Sequence, residues 1–240
     1  MTTSGTKEWA DYNVNFSKGC SNNCKYCYAK RMAKRFGWKL SWDEMENKEE
    51  MAEKGFTKRE GVIMSPSSHD ITESNVDLAI NVFKHILEAG NDLLIVSKPK
   101  ESLIRKICEK IVDWKEQVLF RFTIGTLDDS IRTYWEPGAP TIEDRILTLK
   151  YAYDNGWSTS VSIEPYLERN VVEIIKRLDP YITDCLWVGP MNKHHVPKDL
   201  WTEKETILYS IETREKIREE IFALKNPKIK FKDHFLSKLK

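Results

Sequence analysis

Short apolar segments alternate with amphipathic segments along most of this chain, and this alternation constrains the fold more than any other feature. The segment 75–90 is typical of the amphipathic ones, because its apolar residues recur at the spacing of one helix face and it ends at Gly90, a usual helix terminator. Strands are predicted over 12–17, 61–67, 92–98, 118–125, 157–165 and 185–190, and helices over 75–90, 101–114, 141–156 and 171–179.

Strands that alternate with helices at this spacing form a parallel sheet whose connections are crossover helices. Six strand units are too few for a closed eight-unit barrel, although the 240-residue chain has about the length of one. We therefore predict an α/β fold, a partial (β/α)6 barrel of parallel strands. In such sheets the functional groups collect at the carboxyl ends of the strands.

The residues after the sixth predicted strand have a different pattern. Segment 202–224 has helical character. We expect residues 1–192 to form the core domain and residues 193–240 a C-terminal helical extension packed on that core.

The composition is typical of a protein of the cell interior. Hydrophobic residues make up 40% of the chain and charged residues 31%, and no apolar run approaches the roughly 18 residues of a membrane helix. The N-terminus has no apolar signal-peptide core. We expect a cytoplasmic protein without membrane contact, whose cysteines stay reduced.

Three cysteines, Cys20, Cys24 and Cys27, lie close together in the loop that follows the first predicted strand. Thiolates at such spacing are typical of a metal site. The other two cysteines, Cys108 and Cys185, have the pattern of buried core positions and are not expected to be ligands.

Two interpretations of a three-cysteine site are open. Structural zinc is normally held by four ligands, so a zinc site would need a histidine, His69 or His194, as the fourth. Alternatively, the site holds an iron–sulfur cluster in which one iron has no protein ligand and can bind a substrate or cofactor directly.

The order Cys-x3-Cys-x2-Cys, with the aromatic Tyr26 before the last cysteine, resembles the signature of the radical S-adenosylmethionine (radical SAM) superfamily. The resemblance implies a [4Fe-4S] cluster on Cys20, Cys24 and Cys27, with S-adenosylmethionine chelating the fourth iron. It also implies reductive cleavage of S-adenosylmethionine to a 5′-deoxyadenosyl radical, which abstracts hydrogen from a substrate. An external electron donor such as flavodoxin or ferredoxin would be the partner.

The same resemblance implies a cofactor held at the ends of later strands. Tyr26 is expected to cover one face of the cofactor. Asp70, at the end of a serine-rich turn, stands where the family often has Gly-Gly-Glu and is expected to accept an ammonium group. The further expected cofactor-binding residues are Ser65, Ser67, Lys98, Thr123, with Thr126 as a second candidate, Ser162, Glu164 and Val188, the last through its backbone.

Two patterns resemble the spore photoproduct lyase-like branch of the superfamily, over roughly residues 12–192. One is the serine-rich turn, and the other is the stretch from Glu136 to Arg145 followed by a helix and by "SVSIEP". Arg145 is expected to pair with Glu136, and Thr141 to cap the helix. Cys185 lies at the amino end of its strand, badly placed to donate hydrogen to a substrate, so photoproduct repair itself is not predicted.

Positive charge is concentrated in two segments although the net charge is only +1. No acidic residue lies between Asp11 and Asp43, a span that includes the basic stretch 18–39, and the tail from Lys225 onward carries six lysines. Each segment either faces an anionic partner or is a solvated surface. A nucleic acid or nucleotide substrate is compatible with the basic stretch and the eight tryptophans. A peptide or small-molecule substrate is the alternative, which the near-neutral net charge favours.

Overall fold

The computed structural model describes residues 5–38 and 41–235. Its strands are β1 (Tyr12–Asn13), β2 (Ser17–Lys18), β3 (Glu46–Asn47), β4 (Val62–Ser65), β5 (Asp92–Ser97), β6 (Val118–Thr123), β7 (Ser158–Ile163), β8 (Leu186–Val188) and β9 (Ile229–Phe231). Seven of them form one parallel sheet in the order β1-β4-β5-β6-β7-β8-β9, so β1 and β9 are its two edges. This open parallel sheet confirms the predicted α/β partial barrel.

Helices alternate with these strands along the chain. They are α1 (Tyr28–Phe36), α2 (Val76–Glu88), α3 (Glu101–Lys110), α4 (Asp129–Trp135), α5 (Ile142–Asp154), α6 (Val171–Leu178), α7 (Glu203–Leu208) and α8 (Ile211–Phe222). The main hydrophobic core lies between the sheet and α2, α3, α5 and α6, and includes Ile95, Phe120 and Ile163 from the strands. Among the residues described, no helix has both the length and the apolar character needed to cross a membrane.

Side chains alternate between the two faces of a strand, so every second residue points away from this core. We call the face away from these helices the inner face. Arg121 and Thr123 of β6 pair in register with Ser160 and Ser162 of β7, and all four belong to the inner face. Trp9, from the N-terminal segment, packs on the same face.

The predicted first strand, 12–17, is divided in the structure. Residues Tyr12–Asn13 pair with β4, whereas Ser17–Lys18 pair with β3 in a separate antiparallel ribbon. The division falls at Asn15, whose side-chain oxygen accepts the backbone N–H groups of Ser67 and Ser68 and so closes the turn after β4. The chain therefore leaves the sheet before it reaches the cysteines.

The extension after residue 192 contains a strand as well as helices. Its predicted helix 202–224 is two helices, because Ser210 accepts the backbone N–H of Thr213 and begins α8. Strand β9 was not predicted, and it pairs in parallel with β8 at the edge of the sheet. The division into domains 1–192 and 193–240 stays a prediction. Lys39, Lys238 and Lys240, which belong to the basic segments, lie outside the described residues.

Candidate functional site

The three clustered cysteines lie on one loop that leads from β2 into α1. Cys20 and Cys24 are buried, and Cys27 is half-buried. Cys27 is also the N-cap of α1, where its sulfur accepts the backbone N–H of Lys30 at 3.5 Å. All three thiols therefore belong to a single segment whose end is set by the start of a helix.

The cysteine loop is held by the chain that follows α4. The N–H of Gly138 donates to the carbonyl oxygen of Asn22 at 3.1 Å, and the N–H of Lys25 donates to the carbonyl oxygen of Trp135 at 2.9 Å. A Cβ atom at Gly138 would overlap the carbonyl oxygen of Ser21, so only glycine allows this close approach. The two segments are thus locked together through their backbones.

Asp70 ties the same loop to the end of β5. Its carboxylate accepts the side-chain amide of Asn22 at 2.9 Å, the hydroxyl of Ser97 at 2.6 Å and the backbone N–H of Lys98 at 3.0 Å. It also accepts the backbone N–H of Ile71 at 2.8 Å. The expectation that Asp70 takes an ammonium group is therefore wrong, because its oxygens already hold the framework of the site.

A buried ion pair lies beneath Tyr26. Arg145 and Glu136 pair at 2.5 Å with almost no exposure of either side chain, which confirms the predicted pairing. Arg145 also donates to the carbonyl oxygens of Pro140 at 3.0 Å and Thr123 at 3.1 Å, and the Tyr26 hydroxyl donates to Glu136. Although burial alone would raise the pKa of Glu136, Arg145 and then Lys98 hold it below its ordinary value.

Lys98 brings a positive charge to the cysteine loop from the end of β5. Burial lowers the pKa of Lys98, but the neighbouring Cys24, Glu136 and Asp70 together raise it above its ordinary value, so the ammonium stays charged. Its Nζ atom lies 5.8 Å from the centre of the Tyr26 ring. The cation therefore stands between the cysteines and the buried ion pair.

The pKa values of the thiols reflect their burial. Burial raises the pKa of Cys20 to about 12, and Asp70 adds to the effect. Burial also raises the pKa of Cys24, which the charge of Lys98 partly offsets. Without a metal, the Cys20 and Cys24 thiols are therefore protonated near neutral pH, and a metal that binds them must release their protons.

The predicted cofactor-binding residues divide by face. Thr123 and Ser162 lie on the inner face, Glu164 follows Ser162 by two positions, and the Ser162 hydroxyl is buried without a hydrogen-bond partner among the described residues. Burial raises the pKa of Glu164 to about 7, against the opposing charge of Lys232 at 3.8 Å. These three side chains thus add polar groups to the inner face.

The other predicted residues are occupied or point elsewhere. Ser65 pairs in register with Ile95, which places it on the helix-covered face. Ser67 accepts the side-chain amide of Asn15 at 2.9 Å, and Thr126 donates to Glu168 at 2.6 Å. Val188 lies in the main core, and its carbonyl oxygen accepts the N–H of Lys232 at 3.0 Å, so neither its side chain nor that oxygen is free for a cofactor.

His69 is engaged in the framework rather than available to a metal. Its Nε2 atom accepts the backbone N–H groups of Phe16 at 3.2 Å and Ser17 at 3.1 Å, and its Nδ1 atom faces the carbonyl oxygen of Asp70 at 3.1 Å. Burial lowers its pKa to about 4, so the ring is neutral. The zinc hypothesis with His69 as fourth ligand is therefore wrong, and His194 lies on an exposed turn.

The donor set fits an iron–sulfur cluster better than a single ion. Within residues 5–38 and 41–235, no group of three or more histidine, cysteine or acidic side chains surrounds one metal position. The thiolates of a cluster bind separate irons and need not converge on one point. Three thiols on one loop, with the charged Lys98 next to Cys24, suit a cluster that leaves one iron for a polar cofactor.

The framework residues Asn22 and Gly138 were missed by sequence reasoning. Asn22 lies 48 positions from Asp70, and no periodic pattern links such distant residues. The only signal in the sequence was the Pro-Gly-Ala-Pro stretch around Gly138, which indicated a turn but not what the turn would contact.

Two curated proteins are similar to this chain in sequence. The uncharacterized protein ORF301 of Acidianus two-tailed virus is 26% identical over 224 residues, covering 81% of this chain and 74% of that protein. The uncharacterized protein MJ0683 of Methanocaldococcus jannaschii is 28% identical over 162 residues, covering 66% of this chain and 61% of that protein.

Two solved structures share the fold at low sequence identity. A spore photoproduct lyase variant with bound AdoMet and dinucleoside spore photoproduct superposes with a TM-score of 0.58 at 15% identity, over 92% of this chain and 76% of that one. SuiB of Streptococcus suis bound to S-adenosylmethionine gives a TM-score of 0.54 at 14% identity, over 92% of this chain and 47% of that one.

The family model of the Radical SAM superfamily matches residues 14–178, a span that begins just after β1 and runs to the end of α6. The match includes the whole cysteine loop and four of the seven strands of the parallel sheet, β4 to β7. This chain therefore belongs to the radical SAM superfamily, whose cofactors are S-adenosylmethionine and a [4Fe-4S] cluster.

Proposed function

We propose that Cys20, Cys24 and Cys27 hold the [4Fe-4S] cluster and that this chain is a radical-forming enzyme. When bound and reduced, the cluster supplies one electron to S-adenosylmethionine, whose cleavage gives methionine and the 5′-deoxyadenosyl radical that takes hydrogen from a substrate. The observation that carries the proposal is the placement of all three thiols on one loop, locked to the chain after α4 and to Asp70.

The chain's own residues position the cofactor. Lys98 offers a cation to the carboxylate of S-adenosylmethionine. Ser162, whose hydroxyl lacks a partner among the residues described, and Thr123 offer hydrogen-bonding groups on the inner face. Glu164, whose pKa burial raises to about 7, accepts hydrogen bonds from the ribose hydroxyls or from the cofactor's ammonium group. Tyr26 lies in the cysteine loop, and its hydroxyl donates a hydrogen bond to the buried Glu136.

A nucleic acid or nucleotide is the substrate class we favour over a peptide or small molecule. The first helix after the cysteines, α1, carries basic residues and no acidic ones. The similar lyase structure contains a bound dinucleoside. The electron comes from an external donor such as flavodoxin or ferredoxin, and we propose the cytoplasm as the place of action.

Anaerobic reconstitution tests the proposal. The protein is loaded with iron and sulfide, reduced, and given S-adenosylmethionine, and 5′-deoxyadenosine is measured by chromatography. We expect wild type to form it and Cys24→Ala to lose both the cluster absorbance and the product. Cys108→Ala is the matched control, because Cys108 is buried in α3 away from the cysteine loop.

The outcomes are distinct. Product from wild type and Cys108→Ala, but not from Cys24→Ala, would support the proposal. A protein that binds zinc in place of iron, or one in which Cys24→Ala and Cys108→Ala behave alike, would contradict it.

A further inference from the structure

Helix α1 presents a cationic face that starts at the cysteine loop. Arg31, Lys34 and Arg35 are exposed, and their spacing of three and four residues places them on one side of the helix together with Tyr28. Cys27 caps the first turn. The nine residues of α1 extend this face about 13 Å from the cysteines.

These cations are not neutralised by nearby carboxylates. Within the described part of the chain, Arg31, Lys34 and Arg35 form no ion pair with an acidic side chain. The turn that contains His195 lies beside this face, and the centre of the His195 ring is 6.0 Å from that of Tyr28. The surface therefore borders the cysteine loop.

A pair of stacked aromatic rings stands at the far end of this face. Phe36 and Trp38 are 51% and 62% exposed, and their ring centres lie 5.2 Å apart at an interplanar angle of 20°. Gly37 adopts the left-handed conformation (φ 65°), and the N–H of Trp38 returns to the carbonyl oxygen of Ala33 at 2.9 Å. This helix cap holds the rings in place while leaving them open to solvent.

Exposed flat rings next to unpaired cations match the two parts of a nucleotide, its base and its phosphate. The guanidinium of Arg35 lies 5.3 Å from the centre of the Phe36 ring, so charge and ring surface are adjacent. Unpaired bases stack on aromatic side chains, and the phosphates between them are attracted to lysine and arginine. An acidic protein surface would satisfy the charges, whereas a single-stranded nucleic acid supplies phosphates for the charges and a row of unpaired bases for the rings.

We propose that the exposed face of α1, with Phe36 and Trp38, binds a single-stranded nucleic acid and leads it to the cysteine loop. This inference rests on the proposed function, since it names the substrate of that site. Bases stack on the ring pair, and the backbone follows Lys34, Arg35 and Arg31 toward Tyr28. A duplex is bound less well, because its bases are already stacked on each other and are not free to meet the rings.

Binding of a labelled oligothymidylate of about 12 nucleotides tests this surface. Fluorescence anisotropy with the full-length, cluster-loaded protein is measured over a range of salt concentrations. We expect Phe36→Ala/Trp38→Ala to weaken binding at least about fivefold without changing the salt dependence. We expect Lys34→Gln to reduce the slope of log affinity against log salt by about 0.7.

The control variants repeat the same chemistry elsewhere on the chain. Phe222 on α8 is also exposed, 56%, and lies 5.0 Å from the guanidinium of Arg218. Lys150 is an exposed lysine of α5. Phe222→Ala and Lys150→Gln should leave both affinity and salt slope as in wild type.

Each other result overturns the inference. If Phe36→Ala/Trp38→Ala binds oligothymidylate as tightly as wild type, the face attracts polyanions in general, and heparin should bind to it equally well. Loss of flavodoxin-dependent reduction in the ring variant, with oligothymidylate binding intact, would identify a reductant docking site instead. The 5′-deoxyadenosine assay on wild type is independent: product without oligothymidylate binding would refute this surface alone, and binding without product would refute the proposed function.

Discussion

The buried ion pair between Arg145 and Glu136 gives the sharpest quantitative prediction. Both side chains are almost fully buried, and Arg145 makes further bonds to Pro140 and Thr123. Removing one partner of such a pair leaves an uncompensated buried charge, at a cost of about 3–5 kcal/mol. We therefore expect Arg145→Met to lower the free energy of unfolding by that amount, with Lys98 near Glu136 keeping the loss at the lower end.

Glu136→Gln should cost less, about 1–3 kcal/mol, because the amide oxygen still accepts the Tyr26 hydroxyl and Arg145 keeps its two carbonyl partners. In the double variant neither charge is left unpaired. The loss in the double variant should therefore be smaller than the sum of the two single losses by about 1–3 kcal/mol.

Equilibrium urea unfolding of the metal-free, reduced protein, followed by circular dichroism, measures these values. Arg169→Met is the matched control, because Arg169 pairs with Glu220 at the surface, where both are about half exposed and the pair is worth less than about 1 kcal/mol. Iron bound per chain after reconstitution should fall in Arg145→Met, since Glu136 positions Tyr26 beside the cysteines. The reasoning would be refuted if Arg145→Met cost no more than Arg169→Met.

Two further predictions concern the framework of the cysteine loop. Burial lowers the pKa of His69 from 6.5 to about 4, so between these pH values the unfolded chain binds a proton that the folded chain does not. The free energy of unfolding therefore keeps its full value above pH 6.5 and falls by about 3 kcal/mol as the pH drops toward 4. Urea unfolding across this range should show that His69→Gln lacks this part of the pH dependence. Asp70→Asn should lower the free energy of unfolding by about 2 kcal/mol and reduce iron uptake. The reason is that the new NH₂ group faces donors from Asn22, Ser97 or Lys98. Urea unfolding measures the first effect, and iron analysis after reconstitution measures the second.

Matched variants separate these effects from general damage. His85→Gln changes a partly exposed histidine of α2 and should keep the acid dependence of wild type. Asp77→Asn changes a carboxylate that pairs with Lys106 at the surface and should leave iron uptake unchanged. Equal acid sensitivity in His69→Gln and wild type would rule out His69 as the cause, and normal iron uptake in Asp70→Asn would show that the tie to β5 is dispensable.

Much of the fold follows from local patterns in the chain. Periodic apolar residues over 75–90 and 141–156 predict α2 and α5, because burying one face of a helix depends only on residues three and four positions apart. The three cysteines are equally local, with their spacing contained in one short loop. For that reason the α/β class, the parallel sheet and the superfamily could be inferred from the sequence.

The sequence was less informative where distant segments meet. Strand β9 is three residues long and has no distinctive periodicity, so only its pairing with β8 reveals it. Register decides which serines face inward: Ser162 aligns with Thr123 on the inner face, whereas Ser65 aligns with Ile95 under the helices. Both had been expected to bind the cofactor, because a serine at a strand end looks the same in either orientation.

The sequence by itself determined most of the sheet strands and the helices packed on them, their order and the cysteine motif, since these depend on residues near each other along the chain. Only the tertiary structure decided how that loop is held, because Asn22 meets Asp70 and Gly138 only after the strands have assembled. It also decided that Asp70 and His69 serve the framework of the cysteine loop. Hydrogen bonds satisfy buried polar groups wherever folding brings partners together, and that geometry has no counterpart in local spacing.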